Sequence, residues 1–150
     1  MKKLAIIVLL SVGLISCSKE QNAADQLNTG IWKITQLKWA NGNEVDVNNN
    51  VHKMEFFPCT DAYTATCKGV YTLDYSDTTK TDLRDTFEFD IKADELAITA
   101  VKNSVGSNTF VTKILRQRYA IEQLTDSELA LKRFRTFADS TEGYIRAQKQ

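Results

Sequence analysis

The chain has 150 residues, 43% of them hydrophobic, with 19 basic and 19 acidic side chains and a formal charge of zero. That length suits one modest domain. A neutral chain without a Lys/Arg cluster carries no counterion-release footprint, which excludes nucleic acid as an expected partner.

The chain opens with Lys2 and Lys3, an apolar run from Leu4 to Leu10 that continues through Val12 to Ile15, and then small Ser16. Basic, apolar and small residues in that order read as an export signal. The run falls short of the about 20 apolar residues a permanent span needs, and polar Ser18, Lys19 and Glu20 follow it. Leu14-Ile15-Ser16-Cys17 resembles the lipobox of bacterial lipoproteins. The resemblance implies that residues 1–16 are a removable signal peptide and that Cys17 carries diacylglycerol and an amide-linked acyl chain of the palmitate type. It also implies a lipid-anchored protein of the cell envelope, on the periplasmic or surface leaflet of an outer membrane. Several acyl chains hold a protein on a bilayer where one anchors only marginally. Removing residues 1–16 leaves 134 residues, with 17 basic against 19 acidic side chains, a formal charge of −2.

Residues 17–29 are mostly polar, with one leucine, Leu27, and read as a flexible tether, because they cannot bury enough apolar surface to fold alone. From Gly30 short β-like stretches alternate with turn residues, a cadence that suggests a sandwich or barrel. Ile31–Trp39 comes first. Trp32 and Ile34 share one face while Leu37 and Trp39 share the other, so a β-bulge near Thr35 or Gln36 is expected. Val51–Phe57 follows and ends at Pro58, whose missing N–H costs least there.

Cys59 and Cys67 remain after lipidation, in a chain its signal sends to an oxidising compartment, and are expected to be bonded. Closing so short a loop contributes about 2 to 3 kcal/mol. Two thiols with no nearby histidine cannot complete a tetrahedral metal site.

Cys67–Tyr75 is the next strand, and Asp85–Ile91 the clearest, with Phe87, Phe89 and Ile91 alternating with Thr86, Glu88 and Asp90. Lys92–Glu95 makes a turn, and Leu96, Ile98 and Ala100 continue the inward face. Thr109–Arg116, Gln117–Leu124 and Glu128–Arg135 complete about eight strands, or seven if residues 109–124 form one bent strand. Residues 136–150 read as a C-terminal tail.

Gly30-Ile31-Trp32 after a polar stretch, Met54-Glu55-Phe56-Phe57 ahead of a hairpin, Lys68-Gly69-Val70-Tyr71 beyond it, and Leu124-Thr125-Asp126 at a turn in the closing segment occur in an order that resembles lipocalins. The arrangement is similar to the small lipocalin-like lipoproteins common in Bacteroidetes. The resemblance implies an all-β fold, a small antiparallel up-and-down barrel of about eight strands over residues 30–135. It also implies that Trp32 closes one barrel end beneath a basic side chain of the last strand. Arg133, which shares a face with Leu129 and Leu131, is the candidate for that contact.

Chemistry-bearing residues are sparse. His52, the single histidine, precedes Met54 and Phe56 on an inward face, where a hydrogen-bonded structural residue competes with a general base or ligand. Asp74, Asp77, Asp82, Asp85 and Asp90 match no calcium loop and read as solvated turn acids. No nucleophile has a base and orienter around it, so a non-enzymatic protein is expected, with no cofactor and no metal. Phe56, Tyr71, Tyr75, Phe87 and Phe89 form an inward aromatic set that either lines a pocket for a small apolar or amphipathic ligand or fills the barrel. With a filled barrel, the function moves to loops and outer surface as a protein-interaction or inhibitor module binding an envelope protein, with Trp39 and Phe57 as contact candidates.

Overall fold

Apolar side chains at every second position force each strand to present one face to a common interior, and eight such strands close on themselves. The computed structural model describes residues 19–38, 43–60, 62, 65–103, 115–134 and 143–150. The strands are β1 (Ile31–Lys38), β2 (Asn50–Phe56), β3 (Cys67–Tyr75), β4 (Leu83–Lys92), β5 (Glu95–Asn103), β6 (Arg118–Leu124), β7 (Glu128–Arg133) and β8 (Tyr144–Lys149). They pair antiparallel in sequence order, and β8 returns to β1, giving a closed up-and-down barrel. Among the described residues every strand is paired on both sides.

The interior is the core. Trp32, Ile34, Met54, Phe56, Tyr71, Phe87, Phe89, Ile91, Leu96 and Leu129 are all essentially without solvent contact. The expected bulge in β1 lies between Ile34 and Gln36, where the register on β8 shifts. Thr35 and Gln36 are both exposed there, and Leu37 comes back to the interior. A second shift in β5 changes the expected inward face. Ile98 faces Phe89 and Ala100 faces Glu88, so Thr99 is the extra residue. Ala100 consequently leaves the inward face, and Val101, opposite Phe87, packs against the core instead.

Two boundaries differ from expectation. Residues 136–150 are not a tail: their second half is β8, bonded to β1 on one side and β7 on the other. Only Ile145 and Ala147 alternate as buried positions in it, a faint pattern that barrel closure turns into a strand. Thr109–Arg116 falls mainly outside the described residues; Leu115 and Arg116 are not strand, and β6 begins at Arg118.

Residues 19–27 are helical, not a flexible tether. In this helix, α1, Glu20, Ala24 and Leu27 are buried, and their spacing of four and three puts them on one helical face. The segment is too polar to fold by itself, and the barrel supplies the surface it needs.

Candidate functional site

Among the described residues the two barrel ends are built differently. One carries α1, the β2–β3 connection, the two-residue β4–β5 turn and the β6–β7 turn. The Trp32 indole N–H donates to Leu27 O at 2.8 Å, so the end of α1 is tied to the start of β1. Gln21 donates through Nε2 to Cys59 O at 3.0 Å, and its Oε1 accepts from Ala62 N at 3.1 Å. Cys59 and Cys67 form the expected disulfide, which fixes the loop these bonds hold. Glu20 Oε1 accepts from the N–H of Ala93, a non-glycine residue at φ 53° in the β4–β5 turn, and Lys19 Nζ lies 2.7 Å from Asp94. The β2–β3 connection and the β4–β5 turn are thereby both stitched to one helix, and this end is closed.

The basic side chain over the Gly30-Ile31-Trp32 opening is Lys149. It is the register partner of Trp32 on β8, and its stem occupies the space where a Cβ on Gly30 would stand, 3.0 Å from Cε. The expected Trp32–Arg133 pair is therefore corrected. Arg133 lies on β7, opposite Tyr119, and its Nε donates to Gln117 Oε1 at 3.1 Å. The carry-over failed because the true last strand went unread, and with it the residue in the matching position.

Above the closed end the expected aromatic set divides. Phe56, Phe87 and Phe89 pack on one another, Phe56 edge-on to both partners at centroid distances of 5.5 and 5.2 Å. Such pairs add about 0.5 to 1.5 kcal/mol beyond their buried area. These three are packed core. Tyr75 is half-buried towards the opposite end, with the Lys80 ammonium 5.4 Å from its ring centroid. Tyr71 is fully buried and belongs to a polar group.

That group joins His52, Tyr71 and Asp85, three residues from three adjacent strands, each at most 3% exposed. His52 Nδ1 and the Tyr71 hydroxyl are 2.5 Å apart. Asp85 is the register partner of Tyr71, and its charge, behind burial and the hydroxyl of Tyr75, raises the Tyr71 pKa well above its ordinary value of 10.0. Burial lowers the His52 pKa below 6.5 against the opposing pull of Asp46, so the imidazole is held neutral. His52 Nε2 is buried and has no hydrogen-bond partner among the described residues. Asp85 is thus no solvated turn acid. It was missed because it looks like its neighbours in composition, although its position two before Phe87 already placed it on the inward face.

Asp77 and Asp82 are exposed turn acids as expected, Asp82 accepting from Tyr75 N and Asp77 capping Thr79, whereas Asp74 and Asp90 are half-buried strand residues of β3 and β4, Asp74 paired with Lys53 at 2.8 Å. No cluster of three His, Cys, Asp or Glu side chains able to hold a metal occurs among the described residues. Beyond the polar group, Val45, Val47, Tyr75, Leu83 and Val101 are half-buried apolar side chains packed against the core. On the outer wall a groove of about 300 Å³ crosses the bulge of β1, lined by Gln36, Glu122, Gln123, Glu128 and Arg146. Phe57 lines a smaller recess of about 180 Å³ with Lys68 and Glu88. Trp39 and Cys17 lie outside the described residues.

No family model and no curated protein sequence matches the chain. Among solved structures the chain is similar to japanin from Rhipicephalus appendiculatus, crystallised with bound cholesterol. The TM-score is 0.55 at 13% identity, over 83% of this chain and 76% of japanin. A protein from Burkholderia xenovorans solved by NMR matches at a TM-score of 0.48 and 11% identity, over 87% and 88% of the two chains. At 13% identity the likeness to japanin is one of fold.

Proposed function

We propose that the chain is a non-enzymatic, lipid-anchored binding protein of the cell envelope, whose barrel takes a small apolar or amphipathic molecule from the end opposite α1. The observation that carries this reading is the asymmetry of the barrel. Among the described residues, one end is sealed by a helix and two stitched connections; towards the other, apolar side chains are only half-buried above a buried polar group. Small-ligand sites combine apolar walls with a few placed polar groups in this way. The cholesterol in japanin, a neighbour in fold, supports the choice of ligand class.

The Leu14-Ile15-Ser16-Cys17 sequence supports the anchor, and α1 supports its orientation. Cys17 stands two residues before Lys19, which is salt-bridged to Asp94 at the closed end. An acylated Cys17 holds the closed end towards the bilayer and turns the other end away from it. The test is native mass spectrometry of the full-length protein after incubation with a total lipid extract, with fractionation of a Cys17→Ala variant. A bound small lipid and a shift of the variant out of the membrane fraction are expected. A protein that returns without adduct loses the carrier reading, and a variant that stays membrane-bound loses the anchor.

A second reading, a protein-interaction module, is favoured by the outer groove at Gln36, Glu122 and Arg146. Reversing Arg146 to Glu should then abolish co-purification of an envelope partner while leaving lipid binding unchanged.

A further inference from the structure

We propose that His52 and Tyr71 form the polar end of the ligand site inside the barrel, and that they select an apolar molecule carrying a neutral hydroxyl over one carrying a carboxylate. This rests on the reading of the barrel as a carrier.

The argument begins with one atom. His52 Nε2 is buried inside the barrel and finds no partner among the described residues, while Nδ1 is engaged by the Tyr71 hydroxyl. Leaving a buried donor or acceptor unfilled forfeits its hydrogen bond to water with nothing in return, so a native fold rarely keeps one without a use. The surroundings are apolar. Met54 flanks His52 on the same strand face, Leu73 is its register partner on β3, and Phe87 follows Asp85 on β4.

The chemistry of the neighbours then chooses the ligand group. Two tautomers are open to the pair. If Tyr71 donates to Nδ1, Nε2 carries the hydrogen and donates; if Nδ1 donates to Tyr71, Nε2 accepts. A hydroxyl answers either arrangement, because it both donates and accepts. A carboxylate only accepts, and it would enter with a charge of the same sign as Asp85, opposite Tyr71, and Asp46, whose field reaches His52. Like charges brought together at low dielectric repel strongly. No cation faces the imidazole among the groups that perturb it to offset this.

The experiment displaces the neutral fluorophore N-phenylnaphthylamine from purified full-length protein with decanol, decanoate or decane, in wild type, His52→Leu and Tyr71→Phe. Decanol is expected to compete about tenfold better than decanoate in wild type, the factor a single hydrogen bond gives. In His52→Leu the gain of decanol over decane should vanish while decane competes as before. Because His52 is the only histidine, imidazole nitrogen NMR of the wild type reports it alone. Nε2 should shift on adding decanol and stay put with decane, which keeps the test independent of any folding defect in the variants. Equal competition by alcohol and carboxylate, or an Nε2 resonance indifferent to decanol, overturns the selectivity while leaving the carrier reading standing. A fluorophore that never binds overturns both.

Discussion

Trp32 and Leu27 are joined by a hydrogen bond from the indole N–H to a main-chain carbonyl, at 2.8 Å and fully buried. The bond makes the tryptophan the hinge pin between α1 and the barrel. Its ring fills the closed end, and its one polar atom satisfies a carbonyl at the helix C-terminus that would otherwise lie unpaired in an apolar setting. Replacing Trp32 with Phe keeps an aromatic ring but removes the donor and part of the volume. The expected loss is about 2 to 4 kcal/mol, from the cavity and the stranded carbonyl together, read as a lower midpoint in chemical denaturation. A variant as stable as wild type would mean that α1 is held by its other contacts alone.

Much of the barrel was legible in the sequence because its evidence is local. The alternation of Phe87, Phe89 and Ile91 needs no partner to be read, and the double exposed step at Thr35 and Gln36 announces its own bulge. What escaped depends on tertiary context. Residues 19–27 contain only alanines and one leucine as apolar residues, and the helix exists because the barrel end meets Ala24 and Leu27. β8 has two buried side chains and is a strand because β1 and β7 each lack a partner without it. The polar group escaped in part. Tyr71 and His52 were seen on inward faces, but their contact joins residues 19 apart in sequence and needs the ladder between β2 and β3 to bring them together.

Because β8 closes the barrel, deleting residues 143–150 should do far more than trim a terminus. It exposes the edges of β1 and β7 along their whole ladders and opens the buried face that Ile145 and Ala147 cover. Exposed apolar edges pair with other chains. The truncated protein should show no cooperative unfolding transition and should elute as aggregate in size-exclusion chromatography. A monomer that melts cooperatively would show that seven strands suffice.

Gly69 is required by a close approach of neighbours. A Cβ there would stand 2.4 Å from Phe87 Cζ and 2.7 Å from the main-chain oxygen of Glu55. The ring could turn aside only by disturbing its packing with Phe56 and Phe89, and the carbonyl belongs to the β2–β3 ladder. Gly69→Ala should therefore cost about 1 to 3 kcal/mol by overpacking. Adding Phe87→Leu should recover part of it, because the two changes share one space and cannot be additive. Denaturation of the single and double variants gives the coupling; strict additivity would place the clash on the Glu55 carbonyl alone.

His52 makes the stability of the fold depend on pH in a stated direction. Its pKa is lowered in the folded barrel from 6.5, chiefly by burial, with Asp46 acting against the shift. The unfolded chain therefore binds a proton at a higher pH than the folded one does. Where the unfolded state holds more protons, stability rises with pH. Going down from neutrality, stability should fall once the pH passes below 6.5, and continue to fall until the folded histidine also protonates. The slope from one such proton cannot exceed about 1.4 kcal/mol per pH unit. Above about pH 5 exposed carboxylates stay ionised, so the window between there and 6.5 belongs mainly to the imidazole. Denaturation midpoints of wild type should drop across that window, and those of a His52→Gln variant should stay level. A variant with the same slope as wild type would assign the effect to another buried group, Asp85 first among them, and would remove the case for a neutral imidazole at the polar end of the barrel.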